Sequence, residues 1–371
     1  MVYLDNSATT QVDAEAAKLA LEMMMEHFGN PSSLHHFGMD AYQSVMNARY
    51  QLARMLGCPT GCVHFTSGGT ESNNLAIRGS AMADIHRRKH IVTTSIEHSS
   101  VLECLRALEK EGFSVTCVKP DPTTHRISAK SILDAVREDT MLISMMHVNN
   151  ETGEILPVGE VAAEAKRRNP DILIHTDAVQ SFGKIPVKIH ELKADFISAS
   201  GHKLHGPKGI GMLYVREGCP VTPLVYGGAQ EKRIHPGTES VPLSCAFGLA
   251  SEKMLLSMHK NLAQVTMLRD YLKENLVRTF GEISINSPED GLPYILNFSL
   301  PGHLSGDVVD ALGMKDIFIS AGSACSKGAR SHVLESAGYA PEIVDSVLRV
   351  SFSEQSTREE VDILLEALQK L

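Results

Sequence analysis

Ala194-Asp195-Phe196-Ile197-Ser198-Ala199-Ser200-Gly201-His202-Lys203-Leu204-His205-Gly206-Pro207-Lys208-Gly209 opens as an apolar strand and then breaks into glycine- and proline-punctuated chain. A lysine placed just past such a strand points into a cleft rather than along a solvated helix. Lysine amines form Schiff bases with carbonyl cofactors, and Ser200 and His202 beside Lys203 are suited to hydrogen-bond a phosphate on the same molecule. The stretch therefore reads as a pyridoxal phosphate lysine, with a surface lysine in a glycine-rich loop as the alternative.

A pyridoxal lysine requires partners, and three further stretches supply them. Ile172 to Ser181 reads as a buried strand ending in Asp177, a carboxylate that can keep the cofactor's ring nitrogen protonated. Gln180, three residues on, is in reach of the ring hydroxyl; a turn or cap role for Asp177 is the competing reading. Phe65-Thr66-Ser67-Gly68-Gly69-Thr70-Glu71 runs from strand through two glycines into a helix start, where close backbone approach and free N–H groups favour an anion. Gly69 and Thr70 are its phosphate-binding candidates, and Thr70 is alternatively an N-cap. The cup has neither the lysine of a Walker loop nor the G-x-G-x-x-G spacing of a dinucleotide fold. Thr93 to Ser100 follows the short strand Ile91-Val92 and carries His98, which can stack on a flat ring and exchange protons near neutral pH.

Composition is compatible with such an enzyme. The chain of 371 residues suits a large core divided between two domains. A net charge of −9 offers no basic patch for nucleic acid, and no run of 18 apolar residues suggests a membrane span. The amino terminus lacks the build of a signal peptide, and seven scattered cysteines fit free thiols, so a cytoplasmic protein is expected. Cys58 and Cys62 have no second pair at zinc spacing, so no metal site is expected. Apolar strands alternate with amphipathic helices to about residue 250, the α/β pattern of a mostly parallel sheet covered on both faces. Gln43–Leu56 and Val158–Arg168 read as helices, Met141–His147 and Ile317–Ile319 as strands, and Ser240–Thr279 as one long helix. A capping box from Ser356 to Glu359 precedes a last helix with Val361, Leu364, Leu365 and Leu368 on one face.

Cys325 stands apart from the other cysteines, in Ser320-Ala321-Gly322-Ser323-Ala324-Cys325-Ser326-Lys327-Gly328. A run of small residues gives a thiol access, and Lys327 and Arg330 nearby favour the thiolate.

Taken in order, these motifs resemble the cysteine desulfurases, within the fold-type I pyridoxal phosphate enzymes. The resemblance rests also on Tyr3 to Thr10, Gly29 to Ser33, Met146 to Gly153, Pro236-Gly237-Thr238 and Leu348-Arg349-Val350-Ser351, and it covers nearly the whole chain. It implies a large cofactor-binding domain over 13–255 with a mostly parallel seven-stranded sheet. Segments 1–12 and 256–371 would form a smaller α/β domain with the Cys325 loop. Lys203 would hold the cofactor as a Schiff base, release it to the amino group of L-cysteine and move the Cα proton. Asn150 and Arg349 would bind the substrate, Asn150 also facing the cofactor, and Cys325 would take the sulfur as a persulfide with L-alanine as coproduct. His98 would donate and accept protons. Thr238 would reach the phosphate of a neighbouring subunit, implying a homodimer. A sulfur-acceptor protein for iron-sulfur cluster assembly or tRNA thiolation would be its partner.

Two departures stand out. His235 occupies a position where the family carries arginine, and the loop from Cys325 to Val333 is shorter. The competing functions are a selenocysteine lyase or other β-eliminating enzyme, a catalytically silent scaffold, and a cofactor-free Schiff-base lyase.

Overall fold

The computed structural model describes residues 1–85, 87–322 and 330–371. Its strands in chain order are Val2–Tyr3 (β1), Val63–Thr66 (β2), His90–Thr94 (β3), Ser114–Val118 (β4), Thr140–Ser144 (β5), Leu173–Asp177 (β6), Phe196–Ser200 (β7), Gly211–Val215 (β8), Ser284–Ile285 (β9), Ile295–Ser299 (β10), Ile317–Phe318 (β11) and Val347–Ser351 (β12). Seven of them form one sheet in the order β2-β8-β7-β6-β5-β3-β4. From β4 to β7 every pairing is parallel, whereas β8 runs antiparallel to both β7 and β2. Every residue of β3, β5, β6 and β7 is buried, as parallel strands covered by helices on both faces require. The α/β expectation and the seven-stranded, mostly parallel sheet are both realised.

The strand expected over 141–147 is regular over Thr140–Ser144, and beyond it the chain still runs beside β6. Met145 N–H donates to His175 at 3.1 Å and His147 N–H to Asp177 at 2.9 Å. The helix expected from Gln43 begins at His36, where His35 accepts the Gly38 N–H at 3.2 Å, and it ends on Gly57 at φ 68°.

A second group of strands lies towards the carboxyl end. β9, β10 and β12 form an antiparallel sheet, and β1 pairs in parallel with β11. The helix Val241–Thr279 serves both regions: Val241 to Met258 pack in the core around the large sheet, and Val265 to Leu276 in a second core with β10 and β12. The last helix buries Val361, Leu364, Leu365 and Leu368 as expected. Its capping box is one residue later than the sequence suggested. Thr357 accepts the Glu360 N–H at 3.2 Å and Glu360 accepts the Thr357 N–H at 2.9 Å, while Ser356 is spent on the Ser353 N–H.

Candidate active site

A cleft of about 240 Å³ opens at the carboxyl ends of β6 and β7, where parallel sheets place their ligands. Gly69, Thr70, His98, Asn150, Asp177, Gln180, Ser200, His202, Lys203 and Arg349 all line it.

Asp177 closes β6 and is 6% exposed. Its Oδ1 accepts the Val179 N–H at 2.9 Å and its Oδ2 accepts Asn73 Nδ2 at 2.7 Å, so the carboxylate is fixed in orientation. Asn73 was given no role in the sequence reading. It continues to Ser100 Oγ at 2.9 Å, and Ser100 Oγ lies 2.8 Å from His98 Nδ1. The Ser100 N–H also donates to that nitrogen at 3.1 Å, so the neutral imidazole carries its proton on Nε2. Asp177, Asn73, Ser100 and His98 thus form one chain of polar contacts, joined because helix Gly69–Asn74 packs beside helix Ser99–Lys110. No periodicity signals such a cross-helix contact.

Behind this floor, buried titratable groups are held uncharged. His175 lies between Ser144 at 2.8 Å and Ser198 at 3.1 Å, and burial pushes it down to about 3. Burial likewise pushes Glu97 up to about 8, although Thr94 and Met146 both donate to its Oε1.

Lys203 lies just past β7, as the third residue of a tight turn, Gly201–Lys203. Its Nζ donates to the carbonyls of Ser7 at 2.5 Å and Ala8 at 2.7 Å. The amino-terminal segment reaches it because Thr10 N–H donates to the His202 carbonyl at 2.9 Å and Thr10 Oγ1 accepts the His205 N–H at 2.8 Å. His202 Nδ1 meets Thr9 Oγ1 at 3.1 Å, and burial, followed by the charge of Lys203, pushes it down to about 4.

The helix after β2 starts at Gly69 with Gly68 as its cap, so Thr70 sits in the first turn and the N-cap alternative for it falls away. Thr70 is exposed at the mouth of the cleft. Gly69 permits close approach: a Cβ there would meet Val179 Cγ2 at 2.7 Å. Gln180 donates through Nε2 to the Ser7 carbonyl at 3.0 Å and accepts through Oε1 from Lys184 at 3.3 Å.

Arg349 lies on β12 and is 1% exposed. It donates to the Asn150 carbonyl and to Asp5 Oδ1, both at 2.8 Å. Burial pushes the Asp5 carboxyl up, against the opposing pull of Arg349. Asp5, within the Tyr3 to Thr10 motif, is therefore a half-buried counter-ion to Arg349.

One candidate lies elsewhere, and one cannot be placed among the described residues. Thr238 is exposed and does not line this chain's cleft. Cys325, with Lys327, lies outside the described residues. Arg330, expected to favour a nearby thiolate, is bound to Asp345 by two bonds of 2.6 and 2.7 Å. His235 Nε2 lies 3.3 Å from Glu71 Oε1, beside the phosphate-cup helix. Cys58 is a free thiol pushed up to about 12 by burial, and the described residues contain no cluster suited to a metal.

The family pattern described as Aminotransferase class-V matches residues 2–364. The chain belongs to the class-V aminotransferase family. Within that family it falls with the cysteine desulfurases: the cysteine desulfurase IscS of Dictyoglomus turgidum is 39% identical over 373 residues, covering 100% of this chain and 94% of the relative. A solved NifS-like protein superposes with a TM-score of 0.94 at 35% identity, over 100% of this chain and 98% of that one. A structure of SspA in complex with cysteine is 32% identical, with a TM-score of 0.85 over 96% of this chain and 100% of that one. The class-V aminotransferase fold is thereby established for this cysteine desulfurase relative.

Proposed function

We propose that the cleft binds pyridoxal 5'-phosphate at Lys203 and that the chain removes sulfur from L-cysteine, leaving L-alanine and a persulfide on Cys325. The carrying observation is Asp177, a buried carboxylate oriented by two hydrogen bonds, lining the same cleft as the Lys203 amine. That donor set fits the cofactor. Asp177 would meet the ring nitrogen, Gln180 the ring hydroxyl and His98 the ring face. Thr70, Ser200, His202 and the backbone at Gly69 would hold the phosphate. When bound, the cofactor supplies an electron sink for charge developing at the substrate's Cα.

The chain's own residues do the rest. Arg349, braced by Asp5, and Asn150 take the substrate carboxylate. The Lys203 amine moves the Cα proton, and His98, with its proton on Nε2, serves the later transfers. Cys325 thiolate bonds to the substrate sulfur as the carbon–sulfur bond breaks. The electron pair stays with the carbon fragment, which is protonated and leaves as L-alanine.

The same reading makes the protein a cytoplasmic homodimer that passes sulfur to an acceptor protein, for iron-sulfur clusters or tRNA thiolation. It divides the chain at 13–255 and at 1–12 with 256–371. Exposed Thr238 on the 235–238 turn supports a role at the partner subunit's phosphate, and the free described thiols suit a reducing compartment. No helix among the described residues is long and apolar enough to cross a membrane.

The test is intact mass after brief exposure to L-cysteine without reductant. Wild type should gain one sulfur atom. Cys325→Ser should gain none while keeping the visible band of bound cofactor. Sulfur uptake and L-alanine release by Cys325→Ser at the wild-type rate would overturn the assignment.

A further inference from the structure

Lys184 is a buried lysine to which the proposed chemistry gives no role. It is 2% exposed and sits behind the cleft wall, with its Nζ 3.3 Å from Gln180 Oε1 and 5.4 Å from the centre of the Tyr294 ring. The other charged groups near it are Lys203, Arg349 and Glu354. Glu354 is turned to His205 at 3.1 Å through Oε1, and its Oε2 has no hydrogen-bond partner, nor does the Tyr294 hydroxyl. The hydrogen bond Lys184 makes is therefore to Gln180 rather than to the carboxylate.

A glutamine amide has an acceptor end and a donor end, and its chemistry in a cleft depends on which end is turned inward. The far side of Gln180 is fixed twice. Its Oε1 faces the Lys184 donor, and its Nε2 faces the Ser7 carbonyl at 3.0 Å, an oxygen that already accepts from Lys203 at 2.5 Å. With one N–H spent on Ser7, the second Nε2 hydrogen is the polar group Gln180 has left for the cleft it lines. When Lys203 is drawn into the reaction, the Ser7 carbonyl still accepts from the Gln180 Nε2, and the Lys184 bond is what holds the acceptor end of the same amide.

We propose that Lys184 is a positioning residue that fixes the Gln180 amide so that it offers an N–H, and not a carbonyl, to the ring oxygen of the cofactor. The inference rests on the cofactor reading above. A donor there stabilises the deprotonated ring oxygen, whereas a flipped amide would favour the protonated one. Burial, with the nearby charge of Lys203, pushes Lys184 down to about 7. A neutral amine still donates, so the restraint survives this titration.

The experiment compares the two absorption bands of the bound cofactor, which report the protonated and deprotonated ring oxygen, in four holoenzymes. These are wild type, Lys184→Met, Gln180→Ala and the double variant. Lys184→Met should shift the band ratio towards the protonated form by about fivefold, the equivalent of one ordinary hydrogen bond. In the Gln180→Ala background the same substitution should shift it less than twofold. If Lys184→Met fails to fold, Lys184→Gln, polar but too short to reach, carries the same expectation. An unchanged ratio, or an equal shift in both backgrounds, would show that Lys184 does not act through Gln180. A wild-type chain that takes up no cofactor overturns the functional reading itself and this inference with it.

Discussion

On the floor of the cleft, Asp177, Asn73, Ser100 and His98 sit at strand and helix ends and hold one another at 2.7 to 2.9 Å. On the rim, the segment leading to Thr238 leaves Tyr226 80% exposed and runs through three consecutive non-glycine residues at positive φ, Glu231 at 46°, Lys232 at 55° and Arg233 at 69°. Left-handed backbone at such residues costs about 1–3 kcal/mol each, so something must hold it. Buried Arg49 does so, gripping both carboxylate oxygens of Glu231 at 2.6 and 2.7 Å. The floor is shaped by the sheet that carries it. The rim is shaped by polar contacts gathered on Glu231, which besides Arg49 has the Phe65 N–H at 3.1 Å and His64 at 3.6 Å.

That contrast can be broken from either side. Arg49→Ala takes the guanidinium from buried Glu231 and leaves it the Phe65 N–H at 3.1 Å and His64 at 3.6 Å, which costs about 3–5 kcal/mol. The melting temperature should fall while the cofactor's band position stays, and a matching change in the band would mean that rim and floor are one unit. Arg349→Lys removes the fork geometry at the cleft wall, so kcat/KM for L-cysteine should fall by roughly 10- to 150-fold, the equivalent of about 1.5–3 kcal/mol. A loss in melting temperature without a change in KM would instead make Arg349 a packing residue.

Asn73→Ala tests the floor alone. Losing the Asn73 bond to Asp177 should weaken cofactor retention by roughly tenfold in a dialysis assay, about one charge-assisted hydrogen bond, and leave sedimentation unchanged. A separate test of the floor is pH dependence. Glu97 keeps its proton in the folded state up to about 8 and loses it near the usual 4.5 when unfolded. The unfolded chain therefore binds fewer protons in that window, and stability falls as pH rises from about 4.5 to 8. Glu97→Gln should flatten that slope in urea titrations, and an unaltered slope would assign it to another group.

The floor was legible because its requirements are local. A strand ending in Asp177, two glycines before a helix and a lysine just past β7 each follow from periodicity and backbone chemistry over a few residues. What stayed hidden depends on contacts between distant segments. Asn73 matters through a helix that crosses it, Asp5 through Arg349 some 344 positions away, and Lys184 through a buried amide. The capping box slipped by one because Ser356 and Thr357 are both competent caps, and the Ser353 turn decided between them.

Two lysines near the cleft offer the most direct test of where the chemistry sits. Lys203 reaches the cleft from the turn after β7, and Lys184 lies sealed behind Gln180. Borohydride reduction of the cofactor-loaded protein, followed by peptide mass mapping, should find one pyridoxyl phosphate group on the peptide bearing Lys203 and none on that bearing Lys184. Label on Lys184, or no label at all on a chain that still forms L-alanine, would contradict the account.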